Sequence, residues 1–452
     1  MEPISLNELA LVIGAETDFQ ENTDTTIQRI SIDSRSLEPG NLFWAIRGET
    51  HDGHDFVDDA FDRGAIAAVV DNVATKLRVD DTLTALWDFS RWYRQRQNAL
   101  VVGVTGSVGK TTTREMIHAV LSQKLTGTQS PKNFNNHVGL PLSLLDIEQH
   151  HEFSAVEMGA SAVSEIRDLT NIALPNIGVI TAIGEAHLEG FGSVENIVQG
   201  KGELLEGLPT DGLAIVPGDI AATDDLARRA NCQVIKVGCG PENDLRASDV
   251  EVHNERLTFN TLGRAFELNV LGKHHIGSAL SAIAVARHVG LTLDEIADGL
   301  KQFTPVSGRC HLQLIGSCTV IDDSYNANPT SMKAACRLLR DWRGANKKIL
   351  VTGDMLELGP SADEAHCELG EQAAKAGIDV LLALGKHAEQ VIAGAKQYGF
   401  EDSRAQHFDS VERLNEVLSE YLEPNDVVLV KGSRGLRMEQ VIWSLGDVAR
   451  AA

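Results

Sequence analysis

Leu100-Val-Val-Gly-Val-Thr-Gly-Ser-Val-Gly-Lys-Thr-Thr-Thr-Arg-Glu115 is the stretch from which the rest of the chain is read. Its first half is a short β-branched apolar run, the pattern of a buried parallel strand. Thr105-Gly-Ser-Val-Gly-Lys-Thr-Thr112 follows, and then Met116, Ile117, Val120 and Leu121 recur at helical spacing. Strand, glycine loop, lysine, hydroxyl and helix are the physical recipe for a nucleoside triphosphate site. Gly106 and Gly109 let the backbone N–H groups of Thr105, Ser107, Val108 and Thr112 and their neighbours close around phosphate oxygens, and the helix N-terminus adds its positive dipole end. Lys110 is placed to reach the β/γ-phosphates and the Thr111 hydroxyl to ligate Mg²⁺. One departure stands out. The generic loop wants a glycine five residues before Gly109, where this chain has Val104; Gly103 falls one residue early. The match is to a shortened TGxxGKTT form, set against the alternative of a tight strand-to-helix turn with a chance lysine.

The surrounding composition narrows the class. A length of 452 residues points to about three domains. A net charge of -24 excludes a general nucleic-acid or anionic-membrane binder, since both need spread basic surface. An anionic small substrate is still compatible if Lys and Arg are concentrated locally. The six cysteines form no CxxC pair and read as reduced thiols of a cytosolic protein. Met-Glu-Pro-Ile-Ser-Leu-Asn-Glu at the start has neither a basic nor an apolar leader segment, and no 18-residue apolar run occurs. A cytoplasmic protein with no stable membrane insertion is expected.

Three units are expected along the chain. Residues 1–82 form a small α/β N-terminal domain. A strand is predicted at Leu42 to Ile46, a polar loop over 47–54, a helix from Asp55 to about Gly64 and a strand from Ala65 to Asp71. Ser34 and Arg35 could hold a phosphate or a base edge, although Arg35 reads almost as well as a plain surface residue. Residues 83–308 form a central P-loop parallel-sheet ATPase domain. It opens with a helix from Leu83 to Gln97 whose aromatics suit a domain junction. Phe153-Ser-Ala-Val-Glu157 and Asn176 to Ile183 are buried strands, the second followed by Gly-Glu-Ala-His187. Ligands of α/β sheets collect at carboxyl ends of strands, so Glu157 and His187 belong on the edge that carries Lys110. A glutamate there suits Mg²⁺; His187 taken alone reads better as structural. Asn133, Asn135 and Asn136 suit a diphosphate or sugar, or equally a turn. Lys201 stands between two glycines on a helix, where glycine costs about 1 kcal/mol relative to Ala; close packing or an approaching ligand would explain both. Thr304-Pro-Val-Ser-Gly-Arg309 is the hinge. Residues 309–452 then alternate strand and helix, a C-terminal Rossmann-like doubly wound domain. Polar glycine loops end its strands, the layout of a lid over the nucleotide. The fold class is α/β throughout.

Together these segments resemble the Mur ligases, ATP-dependent amide-forming enzymes of peptidoglycan precursor synthesis, over essentially the whole chain. Thr105 to Thr112 is similar to their phosphate loop, and Glu-Met-Gly at 157–159 and Glu-Ala-His-Leu at 185–188 to their magnesium segments. Gln-Gly-Lys-Gly-Glu at 199–203 is similar to the segment with a carbamylated lysine. Asp323-Ser-Tyr-Asn-Ala-Asn-Pro329, Gly353 to Gly359 and Lys431 to Gly435 resemble most the member that joins D-alanyl-D-alanine to a UDP-N-acetylmuramoyl-tripeptide. The Asp-Asn-Pro-Arg run of the sister adding the third residue is absent. The resemblance implies ATP, two Mg²⁺ held by Thr111, Glu157, His187 and Lys201, CO₂ as a carbamate on Lys201, and a monomer. It implies UDP-substrate contacts at Ser34, Arg35, Asn133, Asn135 and Asn136. Arg309, Asp323, Tyr325 and Asn328 would close near ATP and the incoming dipeptide. Gly272-Lys-His-His-Ile-Gly-Ser278 departs from the family's Gly-x-His-Asn-x-x-Asn, so His275 and Ser278 replace asparagines used near the adenine. Both replacements still hydrogen-bond. Rival readings are a P-loop switch or motor ATPase and a sister ligase such as one adding glutamate to folate.

Overall fold

The computed structural model describes residues 1–17, 25–48, 50–71, 77–253 and 255–451; Glu49, in the polar loop expected over 47–54, lies outside them. The central domain is built on a seven-stranded sheet. In spatial order its strands are Leu245–Arg246, Gln233–Gly238, Leu213–Pro217, Ile177–Ile180, Leu100–Thr105, Phe153–Glu157 and Gly127–Gln129. Every pairing is parallel. Such a sheet is covered on both faces, which is why its middle strands are continuous apolar runs. On one face Met116, Ile117 and Val120 of helix Lys110–Leu121 and Ala279, Ile283 and Ala286 of helix Ile276–His288 join Val102, Val104 and Phe153. Leu140, Ile166, Leu169, Ile197 and Leu204, from three further helices, cover Val101, Val156 and Met158 on the other. Each large aliphatic side chain buried this way contributes about 1.5–3 kcal/mol before entropy is counted. The strand expected at Phe153 to Glu157 spans those residues, whereas the one expected from Asn176 to Ile183 covers only Ile177–Ile180. Beyond its carboxyl end, Thr181 and Ala182 enter the site as loop.

A three-stranded antiparallel sheet, Ser248–His253, Arg256–Thr261 and Arg264–Leu268, follows. The C-terminal sheet has six strands, in the order His311–Ile315, Cys318–Asp323, Val427–Lys431, Lys348–Gly353, Val380–Leu384 and Ala405–Phe408. Only its first pairing is antiparallel. Apolar clusters lie on its two faces, around Leu350, Leu381 and Leu429 and around Val351, Leu382 and Val430. This is the doubly wound arrangement expected.

The N-terminal domain has a four-stranded parallel sheet, Ile30–Ser31, Leu42–Trp44, Ala67–Val70 and Leu77–Arg78. The helix expected from Asp55 is a 3₁₀ turn, Gly53–Phe56, running into the α-helix Val57–Asp62. Helix Thr82–Gln95, capped by Asp81, fastens this domain to the next. Phe89 stacks on Trp44, while Trp87 donates to the His137 carbonyl at 2.7 Å and Tyr93 to that of Ile147 at 2.6 Å. All six cysteines are unpaired. No helix among the described residues is long and apolar enough to cross a membrane.

Candidate active site in the interdomain cleft

Strand Leu100–Thr105 ends in the loop that the glycines make possible. Gly106 has φ +146° and Gly109 +85°. A Cβ at Gly106 would lie 2.1 Å from Thr181 Oγ1, so the position admits no side chain. The loop is tied to the segment after strand Ile177–Ile180. Ser107 N–H donates to the Ala182 carbonyl at 2.8 Å, Ser107 Oγ to Gly184 at 2.9 Å, and Thr181 Oγ1 to Val108 at 2.5 Å. Such cross-ties hold backbone donors in place before any anion arrives. Lys110 Nζ donates to the Gly106 carbonyl at 2.8 Å, and burial holds its amine below the usual lysine value against the pull of Glu157.

The acidic floor of the cleft comes from the neighbouring strand. Glu157, 2 % exposed, accepts from Thr111 Oγ1 at 2.7 Å and from Asn135 Nδ2 at 2.8 Å. Arg114 Nη1 stands 3.6 Å away. The phosphate-loop hydroxyl and the strand-end carboxylate are therefore adjacent hard oxygen donors, the set a Mg²⁺ ion takes. The residues present fit that ion.

The opposite wall belongs to the C-terminal domain. Lys431, at the end of its strand, donates to Asp323 Oδ2 at 2.6 Å and to the Asn326 carbonyl at 2.9 Å. Asp323 also accepts from Cys310 N–H at 3.2 Å. Arg309 lies over the Tyr325 ring, 4.2 Å from its centroid. Asn328 caps helix Pro329–Asp341 in a reciprocal box with Ser331. The two walls enclose a cleft of about 680 Å³. They touch where Gly184 meets Thr330, where Gly359 lies against Glu189, and where His187 Nδ1 hydrogen-bonds Glu357. That bond holds the Glu357 carboxyl below the usual range.

Among the expected site residues, Ser107, Val108, Gly109, Lys110, Thr111, Thr112, Asn133, Asn135, Asn136, Glu157, His187, His275, Arg309, Asp323, Tyr325 and Asn328 all line the cleft. Asn136 also caps the turn at Val138 and Gly139. Gly106 shapes the loop from beneath. Thr105 does not reach the cleft, because its buried hydroxyl donates to the Met158 carbonyl at 2.8 Å. Ser34 and Arg35 stay on the N-terminal domain, Arg35 exposed and paired with Asp33. Lys201 lies behind the wall, 1 % exposed, donating to Ala160 O at 3.0 Å with the Phe191 ring 5.0 Å from Nζ. Burial first, and the charge of Lys110 second, push its amine well below the usual lysine value. The flanking glycines are there for packing. A Cβ at Gly200 would sit 2.7 Å from Phe191, and one at Gly202 2.5 Å from Arg229.

Lys431, Asn326, Thr330, Ser331 and His274 also line the cleft, and residue-by-residue reading did not single them out. Lys431 ends an apolar strand as Glu157 does; the sequence places it in a polar glycine loop at a strand end but does not single it out as a site residue. The loop at Gly385-Lys386, by contrast, turns inward on Asp354, which accepts from Lys386 N–H at 2.7 Å and His387 N–H at 3.0 Å.

Comparison with known proteins agrees with this geometry. Residues 26–87 match the Mur ligase family catalytic domain, 104–286 the Mur ligase middle domain and 308–434 the Mur ligase glutamate ligase domain. The UDP-N-acetylmuramoyl-tripeptide–D-alanyl-D-alanine ligase of Bacillus subtilis is 38% identical over 432 residues, 93% of each chain. A crystal structure of MurF from Acinetobacter baumannii superposes with a TM-score of 0.92 at 31% identity, covering 99% of both chains. MurF ligase from Thermotoga maritima, solved with ADP, superposes at 0.84 with 28% identity, over 95% of this chain and 100% of that one. A phosphate loop facing a second α/β domain across a polar cleft defines the class, an ADP-forming peptide ligase. The chain belongs to the Mur ligase family.

Proposed function

We propose that this chain joins D-alanyl-D-alanine to UDP-N-acetylmuramoyl-tripeptide through an acyl phosphate, giving the UDP-muramoyl-pentapeptide, ADP and phosphate. The observation that carries the reading is the pairing of Thr111 with Glu157 beside Lys110, opposite Arg309, Asp323 and Lys431 across one cleft. A carboxylate is a poor electrophile, and phosphorylation by ATP supplies the leaving group that an amine can displace. The backbone N–H groups of 108–112 and Lys110 bind the phosphates and stabilise charge on the transferring phosphoryl. Mg²⁺, held by Thr111 and Glu157, would add charge neutralisation there. His187 keeps Nε2 for a second ion while Nδ1 engages Glu357.

Lys201 suits carbamylation because its buried amine is held toward the neutral form. The neutral amine plus CO₂ gives a carbamate and one proton, an anion that would help to hold the metal ions. Arg309, Tyr325 and Asn328 face the ATP and dipeptide side of the cleft, and wall contact excludes water that would hydrolyse the acyl phosphate. Asn133, Asn135 and Asn136, with Ser34 and Arg35 on the N-terminal domain, serve the UDP-linked substrate. The domains divide at 82/83 and 308/309. The enzyme acts as a cytoplasmic monomer. Incubation with ATP and substrate labelled with ¹⁸O in the terminal carboxylate tests the mechanism. One label is expected in the released orthophosphate, and unlabelled phosphate alongside amide product would exclude the acyl phosphate.

A further inference from the structure

We propose that His274, His275 and Cys310 form a site for a divalent transition metal of the zinc class at the joint between the central and C-terminal domains. The residues come from two sides of that joint. His274 and His275 lie in the 3₁₀ turn Lys273–His275 that heads helix Ile276–His288. Cys310 lies just after the hinge and before strand His311–Ile315. One ligand atom from each lies within 4.8 Å of the other two, and His274 Nε2 is 3.7 Å from Cys310 Sγ. In a tetrahedral zinc site, sulfur at about 2.3 Å and nitrogen at about 2.0 Å stand about 3.6 Å apart. The pair is already at that spacing.

A second observation points the same way. His275 is 5 % exposed, and its Nε2 is buried with no hydrogen-bond partner. A buried ring nitrogen left unpaired is destabilising, and coordination would relieve it. Two histidines packed on a thiol, their rings tilted 41° to each other, would explain the contacts but leave that nitrogen unexplained. Two imidazoles and a thiol are a borderline-soft donor set, suited to Zn²⁺ and poor for Mg²⁺, which takes oxygen. The site is therefore chemically distinct from the Thr111–Glu157 floor. Three protein ligands leave one position for water, and exposed His274 provides the approach from solvent. Binding replaces the thiol proton with the metal, so each ion taken up releases one proton to solvent. Because the ligands come from both domains, an occupied site would brace the hinge and fill the cleft beside Ser278.

The test is a Co²⁺ titration of the full chain in the absence of nucleotide. One equivalent is expected to bind with a thiolate-to-cobalt charge-transfer band that Zn²⁺ abolishes. Cys310→Ser should lose the band. His274→Ala, at an exposed position and so compatible with folding, should weaken Co²⁺ binding by about tenfold or more. A wild-type protein without the band, a band that persists in Cys310→Ser, or unchanged affinity in His274→Ala would overturn the site.

Discussion

The two sheets that face the cleft offer their strand ends to the same ligands by different means. The central sheet presents backbone: Gly106 and Gly109 open a loop of N–H groups, and the Thr181 hydroxyl with the Ala182 and Gly184 carbonyls holds it still. The C-terminal sheet presents side chains, an Asp323–Lys431 ion pair joined across 108 residues of sequence. The cradle tolerates little replacement at its glycines, because Gly106 and Gly109 hold positive φ and a Cβ at Gly106 would meet Thr181 Oγ1. A charged pair is easier to vary but depends on both members. One topology thus yields a rigid anion seat on one side and an adjustable clamp on the other.

Breaking the cradle should have the larger effect. Lys110→Ala is expected to lower kcat by about 10²–10³-fold, the usual result of removing one donor to developing charge. Ordinary turnover in a phosphate-release assay would mean that the cradle is not the reacting seat. On the clamp side, Asp323→Ala takes the counter-charge from Lys431, whose side chain is 4 % exposed, and leaves it the Asn326 carbonyl. The expected loss is about 3 kcal/mol, the low end for orphaning a buried partner, read from denaturant midpoints. Equal stability would show that Lys431 finds another partner.

Lys201→Ala sharpens the contrast, because Lys201 is buried behind the cleft wall, bonded to the Ala160 carbonyl rather than to the cradle. A loss of about 10–100-fold is expected, with partial rescue by short carboxylates. Full activity would remove the carbamate. The smallest effect concerns the contact between the sheets. The depressed Glu357 carboxyl contributes stability above the ordinary glutamate value and loses it as pH falls through its depressed one. The pair is more than half exposed on the Glu357 side, so the term is at most about 0.5 kcal/mol. It should disappear in Glu357→Gln, and an unchanged acid limb of the stability profile in that variant would assign the effect elsewhere.

Much of the cradle could be read directly from local pattern, since strand, glycine loop and helix are contiguous and each carries its own periodicity. The clamp could not, because Lys431 and Asp323 meet only through the strand order of a folded sheet. Strand Ala405–Phe408 was missed because Ala-Gln-His-Phe offers no apolar run. The hairpin of Arg256–Thr261 and Arg264–Leu268 escaped for a different reason. Its two-residue turn places Leu262 at φ +51° and Gly263 at +74°, and leucine is a poor marker of a conformation that usually recruits Asn or Gly. The glycines beside Lys201 were noticed, but only Phe191 and Arg229 reveal what they accommodate.

Gly184 carries a consequence for evolution of the enzyme. A Cβ there would fall 2.2 Å from Thr330 Oγ1, so a single hydrogen atom gauges how far the lid descends. Any bulkier residue at 184 acts as a shim. It would leave the nucleotide pocket formed and the jaws ajar, uncoupling fuel consumption from bond formation without touching a reacting group.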